Sequence, residues 1–314
     1  MRSMPSAPPS APRLARVKIG VILPAAEVDG DGETPPWPTI RSFALAAEAQ
    51  GLDSVWMFDH FFNRLPDGTT EGMHEAWTIV TAVLAVTRRI EVGTLVLCSS
   101  FRSPALLAKM AATADAVSGG RLILGLGAGW HDPEYEAFGF PRDHRVERFE
   151  EALGIVVPLL RGETVSFHGR YHDVERAVLA PAPAHHVPVL VAADGPRMLG
   201  LAARYAHAWN TAWYAEPDQR LRDALAAFDA ALVAEGRERS SVARTIGMVV
   251  QDPEHPSDDA DDEDPSFEGS VDELADAIDA FEAIGVDHLV VLLQPLTEAS
   301  LDRLASAIAR RGAR

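Results

Sequence analysis

Two polar residues, Asp59 and His60, follow the apolar run SVWMF. Imidazole titrates near neutrality, so a histidine at such a place can carry a proton in catalysis. An Asp-His pair after a strand can equally cap or brace the turn, and the residue types leave both readings open. Further on, RLILGLGAGW (121–130) puts glycine at 125, 127 and 129. Glycine weakens a strand and often marks a place where something approaches the backbone closely. Either a ligand approaches there, or the glycines relieve crowding against a neighbouring element. A third polar group, Asp194-Gly195, stands before Pro196, where a helical stretch opens. The free N–H groups of a helix start favour an anion, and glycine beside them lets a phosphate come near.

Other chemistries are poorly supported. The dinucleotide fingerprint G-x-G-x-x-G needs glycine at its sixth place. Trp130 stands there, and His131-Asp132-Pro133 does not open a clean helix. Cys98 is the single cysteine, with no base near it in sequence, and reads as a small hydrophobe. His185-His186 lie between prolines and read as a loop. No HExxH or paired-cysteine spacing exists, so no metal is expected. A formal charge of -18 repels nucleic acid and anionic membranes. The densest charge cluster, DDADDED at 258–264, reads as part of a solvated acidic loop over 252–268. No apolar run has the length of a membrane span. Residues 1–16 read as a disordered tail without a signal-peptide core. With no disulfide possible, the expected compartment is the cytoplasm.

The elements that must position these groups alternate from end to end. Strand-like runs are VKIGVIL (17–23), DSVWMFDH (53–60), IEVGTLVL (90–97), the glycine run, VPVLVAA (187–193), AWNTAW (208–213), RTIGMVV (244–250) and HLVVLLQP (288–295). Helical periodicity fills the gaps, for example Ile40, Phe43, Ala44 and Ala47 on one face. Ser103-Pro104 reads as an N-cap and first turn, and Ser270 with Glu273 as a capping box. Eight such units predict an α/β fold, a closed (β/α)8 TIM barrel forming one domain over 17–314. Residues 131–143 are expected to leave it as an excursion after strand four. In such barrels the C-terminal strand ends carry the active site, which places Asp59, His60, Cys98, Gly129 and Asp194 on one rim.

Several stretches together resemble the luciferase-like flavin barrel superfamily. They are VWMFDH, GTLVLCSSFRSPALLAKMAATADAVSGGRLILGLGAGW, RFEEAL and the Gly-Pro pair before AARYAHAWN. More narrowly, they resemble the group that uses the deazaflavin coenzyme F420. That resemblance implies a ring lying over the barrel mouth. Asp59 and His60 would sit beside it, and Leu95-Val96 would support it from behind through a cis peptide bond. Cys98 would lie near the ring edge. Ala128 and Gly129 would offer backbone N–H groups to the cofactor chain. Asp194, Gly195, Arg197 and Met198 would line the phosphate end, with Arg102, Arg142 and Arg197 supplying positive charge.

The implied function is a hydride-transferring oxidoreductase acting on a small organic substrate. His60 is its acid–base group, and the protein's work is positioning and exclusion of side reactions. Sugar-phosphate dehydrogenases of the family carry a carboxylic acid where Trp130 stands, a departure that speaks against that substrate class. Two other readings stay open: an FMN-dependent monooxygenase on the same barrel, and a flavin- or deazaflavin-binding protein without turnover. The resemblance also implies a homodimer.

Overall fold

A computed structural model of the chain describes residues 16–27, 32–65, 67–254 and 265–313. The expected tail and most of the acidic loop lie outside the described residues. Eight parallel strands form the centre: β1 (Lys18–Ile22), β2 (Ser54–Met57), β3 (Glu91–Thr94), β4 (Leu122–Gly127), β5 (Val189–Ala192), β6 (Ala208–Tyr214), β7 (Ala243–Gln251) and β8 (His288–Gln294). Each pairs with the next, and β8 pairs with β1, so the sheet closes into a (β/α)8 barrel. The buried face that sequence periodicity assigned to the first helix is the one observed: Ile40, Phe43, Ala44 and Ala47 are buried in α1 (Trp37–Ala49). The outer layer continues with α2 (Ala76–Val86), α3 (Pro104–Ser118), α5 (Arg145–Leu160), α6 (Gly195–Tyr205), α7 (Gln219–Ala234), α8 (Val271–Ala283) and α9 (Glu298–Ala313), while α4 (Asp132–Phe138), in the excursion after β4, lies at the barrel mouth.

Four details depart from the sequence reading. Helix α4 opens at Asp132, with Pro133 in its first turn and Asp132 and Glu134 as acidic residues there, a good helix start after all. Ser103 precedes α3 but its side chain caps nothing, and Pro104 alone marks that start. The polar stretch around GRYHDV is a hairpin, Val165–His168 against Asp173–Ala177. Residues after β2 also form a hairpin, Phe62–Arg64 with Thr70–Gly72. The capping box at Ser270 and Glu273 is present.

Inside the barrel, a polar chain is threaded through the apolar core. Trp56 Nε1–H donates to Ser54 Oγ at 2.7 Å, and Ser54 Oγ shares a hydrogen bond of 2.7 Å with His288 Nε2. Burial, with Lys18 adding to it, pushes His288 down to about 3. An unfolded imidazole takes its proton at a pH of about 6.5. The folded state therefore binds fewer protons than the unfolded one between these values. The stability contributed is complete above the unfolded value and is lost as pH falls toward the folded one. His207, pushed down to about 4 by burial, acts in the same direction. Urea midpoints are expected to fall as pH drops from neutrality toward 5, with a shallower dependence in His288→Leu. An equally steep dependence in the variant would remove His288 from the account.

Candidate active site

Strand β3 ends at Thr94, and the chain then bulges before pairing with β4 again at Leu97 and Cys98. The Leu95–Val96 peptide in the bulge is cis, as the resemblance implies, and Ala212–Trp213 in β6 is a second non-proline cis bond. The bulge answers what approaches the glycines of β4. A Cβ on Gly125 would stand 1.8 Å from the Thr94 carbonyl oxygen, and one on Gly127 would stand 2.7 Å from Val96 Cγ2. At Gly129, where φ is +81°, a Cβ would stand 2.0 Å from the Tyr135 hydroxyl and 2.5 Å from Cys98 Sγ. Protein fills all three spaces, so crowding, rather than a ligand's approach, explains these glycines.

Two adjoining cavities of about 440 Å³ and 130 Å³ open at the C-terminal ends of the strands. His60, Leu95, Val96 and Trp130 line both. Asp59, Cys98 and Gly129 line the smaller one, while Asn210, Trp213 and Gln294 line the larger. Ala128 lines neither; its carbonyl accepts from the Tyr135 hydroxyl at 3.0 Å. Asp194, Gly195, Arg197 and Met198 line neither cavity. Met198 packs against the core, and Asp194 Oδ1 accepts from Thr211 Oγ1 at 3.2 Å.

The polar pair after β2 is divided between two partners. Asp59 faces Arg102, which grips it with both nitrogens at 2.7 and 2.9 Å and also contacts Glu75. Asp59 Oδ2 further accepts the Cys98 N–H at 2.8 Å, tying the strand end beyond the bulge to β2. His60 instead meets Glu134, whose Oε2 lies 2.9 Å from Nδ1. Glu134 is 1% exposed and also accepts the Phe61 N–H through Oε1. With the carboxylate ionised, Nδ1 carries the hydrogen and Nε2 is left to receive or deliver one. Such a pairing orients an imidazole for proton transfer. Glu134 escaped the sequence reading because its helix did. The signal was the Asp-Pro-Glu first turn.

Cys98 is no nucleophile. Its thiol is buried beside the Tyr135 hydroxyl, with Sγ and Oη 3.0 Å apart, and burial pushes it up to about 11. The arginines expected to be free for an anion are engaged as well. Arg142 pairs with Glu136, and Arg197 with Glu147 and Glu150. His185 pairs with Asp115 at 3.0 Å. Among the described residues, no group of three or more His, Cys, Asp or Glu could hold a metal, and no helix is long and apolar enough to cross a membrane.

Residues 17–263 match the luciferase-like monooxygenase model. The chain belongs to the luciferase-like monooxygenase family. Among its relatives, an F420-dependent glucose-6-phosphate dehydrogenase of Microbacterium testaceum (strain StLB037) is 31% identical over 85% of this chain and 78% of its own length. Another with that name, from Amycolatopsis mediterranei (strain U-32), is 38% identical over 52% of this chain, a stretch spanning about half (49%) of its own length. A solved F420-dependent secondary alcohol dehydrogenase, in complex with an F420-acetone adduct, superposes with a TM-score of 0.80 at 21% identity, over 95% of this chain and 99% of that one. EDTA monooxygenase from Chelativorans sp. BNC1 gives 0.79 at 16% identity, over 96% and 95%. Both neighbours share the fold.

Proposed function

We propose that the chain is an F420-dependent oxidoreductase that moves a hydride to or from a small organic substrate. The observation that carries this is the match, over 85% of the chain, to a relative named for F420 dependence. The residues present suit the group. Leu95, Val96 and Trp213 give the larger cavity apolar walls, and Asn210 and Gln294 give it amide groups. Beyond β5, helix α6 starts at Gly195 with φ at +74°, open space where a Cβ would stand, and no side-chain cap from Asp194. Its first N–H groups are thus available to a phosphate. The bound deazaflavin would supply hydride exchange. The bulge at Leu95 and Val96 would back the ring, Gln294 and the Asn210 side-chain carbonyl, whose NH2 already donates to the Thr211 and Thr245 carbonyls, would hydrogen-bond its polar edge, and His60 Nε2 would hold or release the substrate proton.

Fluorescence titration of the coenzyme-free protein tests this reading against FMN. Tighter binding of the deazaflavin is the expected result. Micromolar FMN affinity without detectable deazaflavin binding would sink it.

The phosphate end has an unusual charge balance for an anionic coenzyme. Arg197 is tied to Glu147 and Glu150, and the Asp194 carboxylate stands at the helix start. The double variant Glu147→Gln/Glu150→Gln is expected to bind the deazaflavin more tightly, by about twofold to fivefold at low salt, because exposed pairs are weak and screened. The gain should shrink as salt rises. An unchanged or weaker affinity at low salt would show that Arg197 takes no part.

A further inference from the structure

Among the described residues, no lysine or arginine side chain lines the two cavities at the barrel mouth to neutralise an anionic substrate. The two carboxylates that do, Asp59 and Glu134, are buried and already matched by Arg102 and His60. Arg145, next to Trp130, donates to the Trp130 carbonyl and to Asp132. A phosphate monoester brought here would lose its hydration without gaining a cation, which is strongly unfavourable.

Apolar surface, by contrast, is abundant. Beyond the Leu95, Val96 and Trp213 walls assigned to the coenzyme ring, Phe58, Met73 and Leu292 supply it within the larger cavity. Trp130 adds an indole that is 68% exposed at the rim, with its ring 5.5 Å from that of His60. An indole offers a ligand a large apolar face, and this one adjoins the proton-transfer group.

Resting on the deazaflavin reading, we propose that the substrate is an uncharged alcohol or carbonyl compound with an apolar body. That body packs on Trp130, its oxygen meets His60 Nε2, and phosphate esters are excluded. In the oxidising direction the carbinol C–H bond breaks and its hydrogen leaves with both electrons, as hydride, for the deazaflavin. The O–H proton passes to His60 and the C=O bond forms, so the alcohol is oxidised and the coenzyme reduced by two electrons. The reverse direction reduces the carbonyl compound with the same groups.

A series of 2-alkanols, from 2-propanol to 2-octanol, tests the proposal with glucose 6-phosphate as the charged comparison. Each added methylene should raise kcat/KM by about fourfold until the apolar wall is covered, chiefly through KM. Glucose 6-phosphate should neither bind nor react. Trp130→Ala should raise KM for 2-octanol about tenfold with kcat nearly unchanged, and Trp130→Phe should restore part of the loss. A second readout needs no coenzyme: saturation-transfer NMR of 2-octanol on the coenzyme-free protein, with the signal diminished in Trp130→Ala. A flat response to chain length, or tighter binding of glucose 6-phosphate than of 2-octanol, would overturn the proposal. Failure of deazaflavin binding with the NMR contact intact would count against the coenzyme reading and still support the apolar seat.

Discussion

Replacing His60 with alanine is expected to slow turnover by about 10²- to 10⁴-fold, the usual contribution of a positioned acid–base group, while coenzyme affinity moves far less. The expectation rests on the ring's fixed orientation. Glu134 holds Nδ1 at 2.9 Å, so the nitrogen available to a substrate is always Nε2. His60→Asn and Glu134→Gln sharpen the test. Asparagine keeps a polar group at the cavity wall but cannot take up a proton near neutrality. Glutamine at 134 keeps the volume but weakens the hold on the ring, so it should lower kcat with little change in KM. Steady-state kinetics, with coenzyme affinity measured separately, read all three. A His60→Ala enzyme with normal kcat would leave the histidine as a mere neighbour of the cavity. Equal losses of kcat and coenzyme affinity would make it a binding residue instead.

Removing the Arg102 guanidinium is expected to cost about 3–5 kcal/mol of folding stability, because it strands a buried carboxylate. The Arg102 side chain is 10% exposed and that of Asp59 is fully buried. Asp59 keeps only the Cys98 N–H as a partner once the two arginine contacts are gone. Arg102→Lys keeps the charge but not the fork, so it should recover only part of the loss. The double variant Asp59→Asn/Arg102→Met should be far less damaged than the sum of its parts, since the two positions act through one interaction. Urea denaturation provides the values. Near-native stability of Arg102→Ala would mean that Asp59 finds solvent or another donor. The local effect should also reach the cavity, because the Asp59–Cys98 bond anchors the chain beyond the Leu95–Val96 bulge.

Much of the architecture could be read from periodicity. Buried parallel strands are apolar runs, and helix faces such as Ile40, Phe43, Ala44 and Ala47 repeat with the helical period. The hairpins at 62–72 and 165–177 were not legible, since short polar strands carry no such pattern. The candidate site was legible as positions but not as pairings. Asp59 and His60 stand side by side in sequence, yet their partners are Arg102 and Glu134, 43 and 74 residues away. Adjacent residues point in different directions when the chain leaves a strand, so sequence proximity says little about partnership. The acidic α4, whose opening His131-Asp132-Pro133 does not read as a clean helix start, brings in the residue that holds His60. Conversely, the glycine run left a ligand and a crowded neighbour both open, and only coordinates reveal that protein atoms already occupy those spaces.

The three glycines of β4 have unequal freedom to drift over evolutionary time. Position 125 faces the carbonyl oxygen of Thr94, a backbone atom that no change of side chain can withdraw. It should be immutable in any descendant that keeps the bulge. Position 127 faces only a methyl group of Val96, so alanine there becomes permissible once residue 96 shrinks. Position 129 faces the tips of two side chains, Tyr135 and Cys98, but its left-handed backbone resists any replacement even after they retreat. A lineage altering this rim therefore has one open route, through 96 and 127 in that order. The reverse order passes through an ancestor whose strands collide.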